Sequence, residues 1–294
     1  MKEIVVLSGK GGTGKTSITA SLAVLAGNSA IIADCDVDAA NMHLLLTPNF
    51  AKGSVFYSGE LAEIDQAMCT RCGLCQSICR FDAIPFNNNQ YTINPFACEG
   101  CGYCEKICPE KAITLQERIS GSLYVSTTRV GNTLVHARLD IGAENSGKLV
   151  AQVKNEAKRL SKELSTQYIL VDGSPGIGCP VASSLAGANY VLLVVEPSVS
   201  GVHDMKRLIE LLEKFKISKG CVINKHDINP QKTYEIIEYL KSRQIAHLAN
   251  IPFDPAFTKA MTEVKTMVEV DSPIKGIITQ LWESIKKELN YPIK

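Results

Sequence analysis

Runs of consecutive apolar residues alternate along this chain with stretches whose apolar positions recur every three or four residues. Residues 3–8 predict a buried strand, residues 16–27 a helix with Ile18, Leu22 and Leu25 on one face, and residues 31–33 the next strand. The rhythm resumes near Ser146. A helix over 147–165 precedes a strand over 168–171, a short helix and a strand over 190–195. A helix over 202–215, a strand over 221–224, a helix over 231–242 and a strand over 246–251 follow. A last helix begins after Ser272 and Pro273, which suit an N-cap and a first helical position. Strands and helices in alternation predict an α/β fold, a mainly parallel sheet with helices on both faces.

Residues 60–117 interrupt this rhythm. They are rich in Cys, Gly and Asn, hold no long amphipathic stretch and contain an internal repeat. The expected organisation is one α/β domain, residues 1–59 and 118–294, with a small α+β domain inserted at 60–117. A compact unit inserted into a surface loop adds little closure entropy, so the host fold can accept it. After it, residues 123–129 and 133–139 predict a hairpin turning at Gly131 and Asn132, and residues 140–148 a polar loop.

Composition narrows the classes. The formal charge is +1, from 31 basic and 30 acidic residues, so there is no general attraction to nucleic acid or an anionic membrane. The apolar run Ile4–Leu7 is too short for a signal peptide, and Tyr190–Val195 is far short of a membrane span. The expected location is the cytoplasm. There, eight of the 11 cysteines in two tight repeats indicate metal or cluster ligation rather than disulfides.

Residues 9–16, GKGGTGKT, satisfy G-x-x-x-x-G-K-[ST] between a strand and a helix, the context of a phosphate-binding loop. The backbone from Gly11 through Gly12, Thr13, Gly14, Lys15 and Thr16 to Ser17 would face the phosphates of ATP or ADP at a helix N-terminus. Lys15 would reach the β- and γ-phosphates, and Thr16 would hold Mg²⁺. Asp172 ends a strand before GSPGIG and is placed for Mg²⁺, directly or through water.

The cysteines supply a second chemistry. Cys69, Cys72, Cys75 and Cys79 are spaced C-x2-C-x2-C-x3-C, and Cys98, Cys101, Cys104 and Cys108 repeat the spacing before Pro109. In two-cluster ferredoxins of this pattern the fourth cysteine of each run serves the other cluster. One [4Fe–4S] would take Cys69, Cys72, Cys75 and Cys108, and the second Cys98, Cys101, Cys104 and Cys79. Gly73 and Gly102 would relieve crowding in the tight turns, and Arg80 stands where the first run would usually carry Pro. A zinc site uses two pairs of ligands and fits this spacing poorly.

KGGTGKT resembles the deviant Walker A loop of the MinD/ParA/nitrogenase iron protein class of ATPases. With the double cysteine run, the chain looks like a MinD-superfamily ATPase containing an inserted two-cluster ferredoxin domain. The resemblance implies that Lys10 reaches the nucleotide across an ATP-dependent homodimer. It also implies that Asp36, in the segment Asp34-Cys35-Asp36, orients the attacking water. For Asp34 and Asp38, capping and loop solvation are equally good readings. By the same resemblance the loop after Asp172 is a mobile switch, and Asn224 and Pro252 flank the adenine. Cys179 is spaced from Asp172 like a bridging-cluster ligand of the nitrogenase iron protein, but without a second such cysteine it reads as a packed residue, as do Cys35 and Cys221. The apolar stripe of the last helix, Ile277 to Leu289, is expected to pack on the sheet. The leading expectation is a slow ATPase whose nucleotide state gates electron transfer through two clusters to a redox partner protein. The alternatives are a carrier or maturation ATPase for metal cofactors and a redox-sensing spatial or regulatory ATPase. Neither nucleic acid nor membrane is an expected partner.

Overall fold

The structure, a computed structural model, describes residues 1–50, 52–143 and 145–290. β1 (Lys2–Leu7) leads through the Gly-rich loop into α1 (Lys15–Ala26), β2 (Ala30–Asp34) and the short α2 (Met42–Leu46). β3 (Lys52–Ile64) is followed by α3 (Leu74–Ile78), β4 (Phe86–Asn87), β5 (Gln90–Tyr91) and α4 (Tyr103–Ile107). β6 (Ile113–Thr127) and β7 (Thr133–Leu139) form the expected hairpin, closed by Thr128 N–H donating to Asn132 O. Regular alternation then returns with α5 (Ser146–Glu163), β8 (Tyr168–Asp172), α6 (Cys179–Leu185), β9 (Tyr190–Val195) and α7 (Val199–Glu213). It ends with β10 (Ser218–Asn224), α8 (Pro230–Ser242), β11 (Ala246–Ile251), α9 (Ala256–Thr262) and α10 (Pro273–Asn290).

The chain forms two compact units, one of residues 1–54, 123–138 and 146–294, the other of residues 55–122 with 139–145. The divisions fall inside β3 and β6, five residues outside the limits of 60 and 117 expected from composition. The displacement has a simple cause: both strands run on through the boundary without a break. Residues 139–145, expected as a plain polar loop, belong to the second unit.

In the first unit the strand order is β11-β10-β9-β1-β8-β2-β7, beyond which β6 and β3 follow. β1 pairs in parallel with both β8 and β9, placing Ile4 opposite Leu170 and Tyr190. β9 is buried along its whole length, as a parallel strand covered on both faces requires. From β1 the chain runs to β2 on one side, while β9, β10 and β11 extend the sheet on the other. The carboxyl end of β1 is therefore the topological switch point at which open α/β sheets bind ligands. α10 covers one face with Ile274, Ile278, Leu281, Trp282, Ile285 and Leu289 in the same core as Ile4 and Leu192. Ser272 caps it through Ile274 N–H at 3.2 Å. The stripe on this helix is thus used up by packing. Among the described residues no helix is long and apolar enough to cross a membrane.

The second unit has a thin core: its apolar cluster has Ala62, Cys75, Ala83, Ile84, Cys104 and Ile113 as buried members, with Cys79, Cys98 and Cys108 packed against them. Its two halves repeat in backbone as well as in sequence. Gly73 and Gly102 precede α3 and α4 at φ 80° and 74°, a left-handed conformation that favours glycine. Cys79 and Cys108 end those helices at φ −71° and −69°, both with ψ 114°. The glycines are therefore required by backbone conformation as much as by space.

Candidate functional site

Lys15 opens α1 with its ammonium buried, 3.0 Å from Asp172 Oδ1 and 3.5 Å from Asp36 Oδ2. Burial pushes its pKa down, but Asp172 and then Asp36 more than offset this, and the net shift is upward. Thr16 Oγ1 donates to Asp172 Oδ2 at 2.7 Å, so the hydroxyl and carboxylate expected to share Mg²⁺ already touch. Thr19 Oγ1 lies 2.9 Å from Asp172 Oδ1. Asp36 is raised by burial, with Lys15 acting in the opposite sense. Asp34, fully buried and without the role given to Asp36, is pushed up to about 8, first by burial and then by Asp172. With Asp34 holding its proton at neutral pH, two carboxylates and one ammonium at the carboxyl ends of β1, β2 and β8 make a site short of positive charge. A divalent cation would supply that charge, and the oxygen donors of Thr16 and Asp172 suit Mg²⁺.

A cleft of about 700 Å³ opens above the loop, lined by Gly11, Gly12, Thr13, Gly14, Lys15, Thr16 and Ser17 together with Asp36, Asn224 and Pro252. Phe253, Phe257 and Met261 give it an apolar end. Its size and mixed lining suit a nucleotide.

Two expectations change in detail. Asn224 lines the cleft, but its Nδ2 donates to Thr13 O at 2.8 Å and its Oδ1 accepts from Lys225 N–H at 3.1 Å. One donor and one acceptor of its amide are thus used in holding the loop, in addition to its place on the cleft wall. A Cβ at Gly14 would lie 2.4 Å from that Nδ2, so glycine is required there by close approach as well as by φ 91°. Lys10 does not line the cleft. Its ammonium is 2.5 Å from Glu196 Oε1 and 3.0 Å from the hydroxyls of both Ser198 and Ser200.

Glu196 was not singled out by sequence, although its place directly after the buried run of β9 puts it at the ligand-binding end of the sheet. Its other oxygen is 3.2 Å from Lys225 Nζ, which also donates to Gly12 O at 3.2 Å. Burial works against the Glu196 carboxylate, yet hydrogen bonds from Lys10 and Lys225 hold its pKa below the usual range. Ser174 Oγ donates to Cys35 O at 2.7 Å, and Cys35 N–H to Asp172 O at 2.8 Å, so the loops after β2 and β8 are tied together.

The eight clustered cysteines line two cavities in the second unit. One is bordered by Cys69, Cys72, Cys75 and Cys108, the other by Cys79, Cys98, Cys101 and Cys104. Each has about 350 Å³ of space around the sulfurs counted out to solvent, 340 and 360 Å³ respectively. The fourth cysteine of each run thus faces the other run's first three. Ala112 N–H donates to Cys108 Sγ at 3.3 Å. Burial pushes the Cys75 and Cys104 thiols up, so their thiolates need a bound cation to offset the cost. Among the described residues no three His, Cys, Asp or Glu side chains gather tightly enough to hold a single metal ion.

Cys35 and Cys221 are buried, as expected of core residues, and burial pushes both thiols far up. Cys179 departs from expectation: it is exposed, at the start of α6 straight after the loop that follows Asp172.

The sheet order, the Gly-rich loop and the Lys15–Asp172–Thr16 constellation define a nucleotide-binding protein of the P-loop α/β class. Residues 4–267 match the family described as CobQ/CobB/MinD/ParA nucleotide binding domain. The chain belongs to that family. It is 37% identical over 97% of its length, and 96% of the relative's, to the uncharacterized protein MJ0578 of Methanocaldococcus jannaschii. It is 28% identical to the septum site-determining protein MinD of Synechocystis sp., covering 75% of this chain and 62% of that one. Among solved structures, MinD of Pyrococcus horikoshii complexed with Mg-ADP superposes with a TM-score of 0.59 at 20% identity, covering 98% of this chain and 97% of that one. The cell division ATPase MinD of Pyrococcus furiosus gives 0.57 at 21% identity, with 97% and 98% covered.

Proposed function

We propose that this protein is an Mg-ATP-dependent homodimeric ATPase carrying two [4Fe–4S] clusters in a ferredoxin-like second unit, and that its nucleotide state gates electron transfer to a redox partner protein. The observation that carries the reading is the sorting of eight cysteines into two four-cysteine cavities with the last ligand of each run exchanged. The thin core around them adds support. A unit of this size whose apolar cluster has only six buried members is short of apolar burial and needs staples, which bound clusters would supply. On the nucleotide side Lys15 would bind phosphate, Thr16 and Asp172 would hold Mg²⁺, and Asp36 would orient water. Bound clusters would supply one-electron chemistry. The protein's part is to hold them in fixed cavities through Cys69, Cys72, Cys75 and Cys108, and through Cys79, Cys98, Cys101 and Cys104.

Coupling between linked sites is typically about 1–3 kcal/mol. For one electron that corresponds to a shift in cluster potential of about 40–130 mV between nucleotide states. The test is anaerobic purification, iron and sulfide analysis, and a redox titration followed by EPR with and without Mg-ATP. Absence of sulfide would end the cluster reading, and an unchanged potential with an unchanged reduction rate would end gating. A second reading, a spatial or regulatory ATPase whose clusters sense redox state, draws on the MinD-like fold. ATP-switched assembly that continues unaltered whether the clusters are reduced or oxidised would count against it.

A further inference from the structure

Residues 139–145 leave the first unit between β7 and α5 to join the second, and they bring Ile141 with them. Ile141 is 87% exposed, more than any other described large apolar side chain, and Phe96 is 75% exposed. Their segments approach each other: a Cβ on Gly142, the residue after Ile141, would lie 3.6 Å from Phe96 Cδ1. Neither side chain rides on a loose segment. Asp140 N–H donates to Ser120 O and Ala143 N–H to Asp140 O, both at 3.0 Å. Phe96 N–H donates to Asn94 Oδ1 at 3.0 Å, and Cys98 N–H to Asn94 O at 3.0 Å. The same turn therefore fixes the exposed ring and the first cysteine of the second cavity, two residues on. Cys101 in that cavity is exposed.

Exposed adjacent apolar groups held rigid on a polar surface mark an interaction site. Aromatic anchors of this kind dominate interface energetics. Charge says what fits. The sequence of the second unit carries ten acidic against five basic residues, a formal −5 in a chain whose total is +1. Glu99 and Asp140, both exposed, stand beside the patch in sequence. We propose that Phe96 and Ile141 are the centre of a docking surface for a redox protein with a basic rim, which exchanges one electron at the cavity of Cys79, Cys98, Cys101 and Cys104. The proposal rests on the iron–sulfur reading above.

The full-length protein, isolated with its iron and sulfide measured, is compared with the Ile141→Ser and Phe96→Ser/Ile141→Ser variants, using a basic c-type cytochrome as the probe. Complex formation is read by isothermal titration calorimetry. Electron transfer is read by stopped flow after dithionite reduction. One electron leaves the reduced iron–sulfur centre and converts ferric haem to ferrous, and no bond or proton changes. Loss of the anchors is expected to weaken binding and slow the second-order reaction by about tenfold or more. Both are expected to fall as salt is added to the parent protein. Ile141→Ser changes only an exposed loop side chain, so folding survives even if the double variant fails. Unchanged binding and rate with clusters intact would overturn the docking proposal alone. So would faster reaction at high salt, or loss of self-association in the variants, which would make the patch a contact between copies of this chain. A parent protein without iron and sulfide would remove the iron–sulfur reading and this inference with it.

Discussion

Replacing Glu196 by glutamine tests whether Lys10 is held in reserve. In the structure its ammonium meets Glu196 Oε1 at 2.5 Å and two serine hydroxyls at 3.0 Å. The two charged side chains are 29% and 17% exposed, so the pair lies between a surface ion pair and a buried one. Surface pairs contribute about 0.2–1 kcal/mol and charge-assisted hydrogen bonds about 1.5–3 kcal/mol. A value of about 1–2 kcal/mol per protomer is reasonable for the contact with the carboxylate. If Lys10 must leave Glu196 to act across a homodimer, closing the dimer breaks two such contacts, a cost of about 2–4 kcal/mol or about 30- to 1000-fold in association. Glutamine keeps the shape and some hydrogen bonding, so a gain of at least about tenfold in ATP-dependent dimer affinity is expected. Sedimentation velocity across a protein concentration series with a non-hydrolysable ATP analogue measures it. Lys225 also leans on Glu196 and touches Gly12 O, so nucleotide affinity of the monomer is measured separately by fluorescence. Dimer affinity that stays the same or falls, with monomer affinity unaltered, would refute the reasoning.

Three other outcomes are expected. Cys108→Ala should lose the cluster of the first cysteine run while Cys79→Ala loses that of the second, each halving the iron from about eight to about four atoms per chain; EPR with iron analysis distinguishes this from loss in the mutated run itself. Lys154→Met should destabilise the fold by about 3–5 kcal/mol, because the buried Lys154 ammonium lies 2.6 Å from the buried Glu3 carboxylate and also donates to Ser184 O and Ala186 O; urea unfolding measures it, and Glu3→Gln in addition should recover part. Asp34 has a folded pKa raised from 3.8 to about 8, so the folded state holds its proton more tightly than the unfolded chain. Nucleotide-free protein should therefore lose stability as pH climbs between about 4 and about 8 and level off above; Asp34→Asn should flatten that part of the Tm profile.

Patterns carried by local spacing were legible in the sequence. The loop at residues 9–16, the strand ending in Asp172 and the 3, 3, 4 spacing of the cysteines each depend on a few consecutive residues, and the structure gathers them as that spacing implies. What escaped depends on residues far apart in the chain. Glu196 draws in Lys10 and Lys225 because β9 ends beside β1 and β10, which no local pattern announces. The amide of Asn224 looks free until Thr13 O arrives from across the sheet. Cys179 looked like a packed residue because sequence cannot tell the exposed first residue of α6 from its buried ones. The unit boundary lies five residues outside the composition change because β3 and β6 are continuous strands that cross it.

The exchange of Cys79 and Cys108 between the two cavities gives the small unit an interlocked character. Under the cluster reading neither half would possess a full set of donors, so a fragment holding one cysteine run would complete neither cluster, however well it folded.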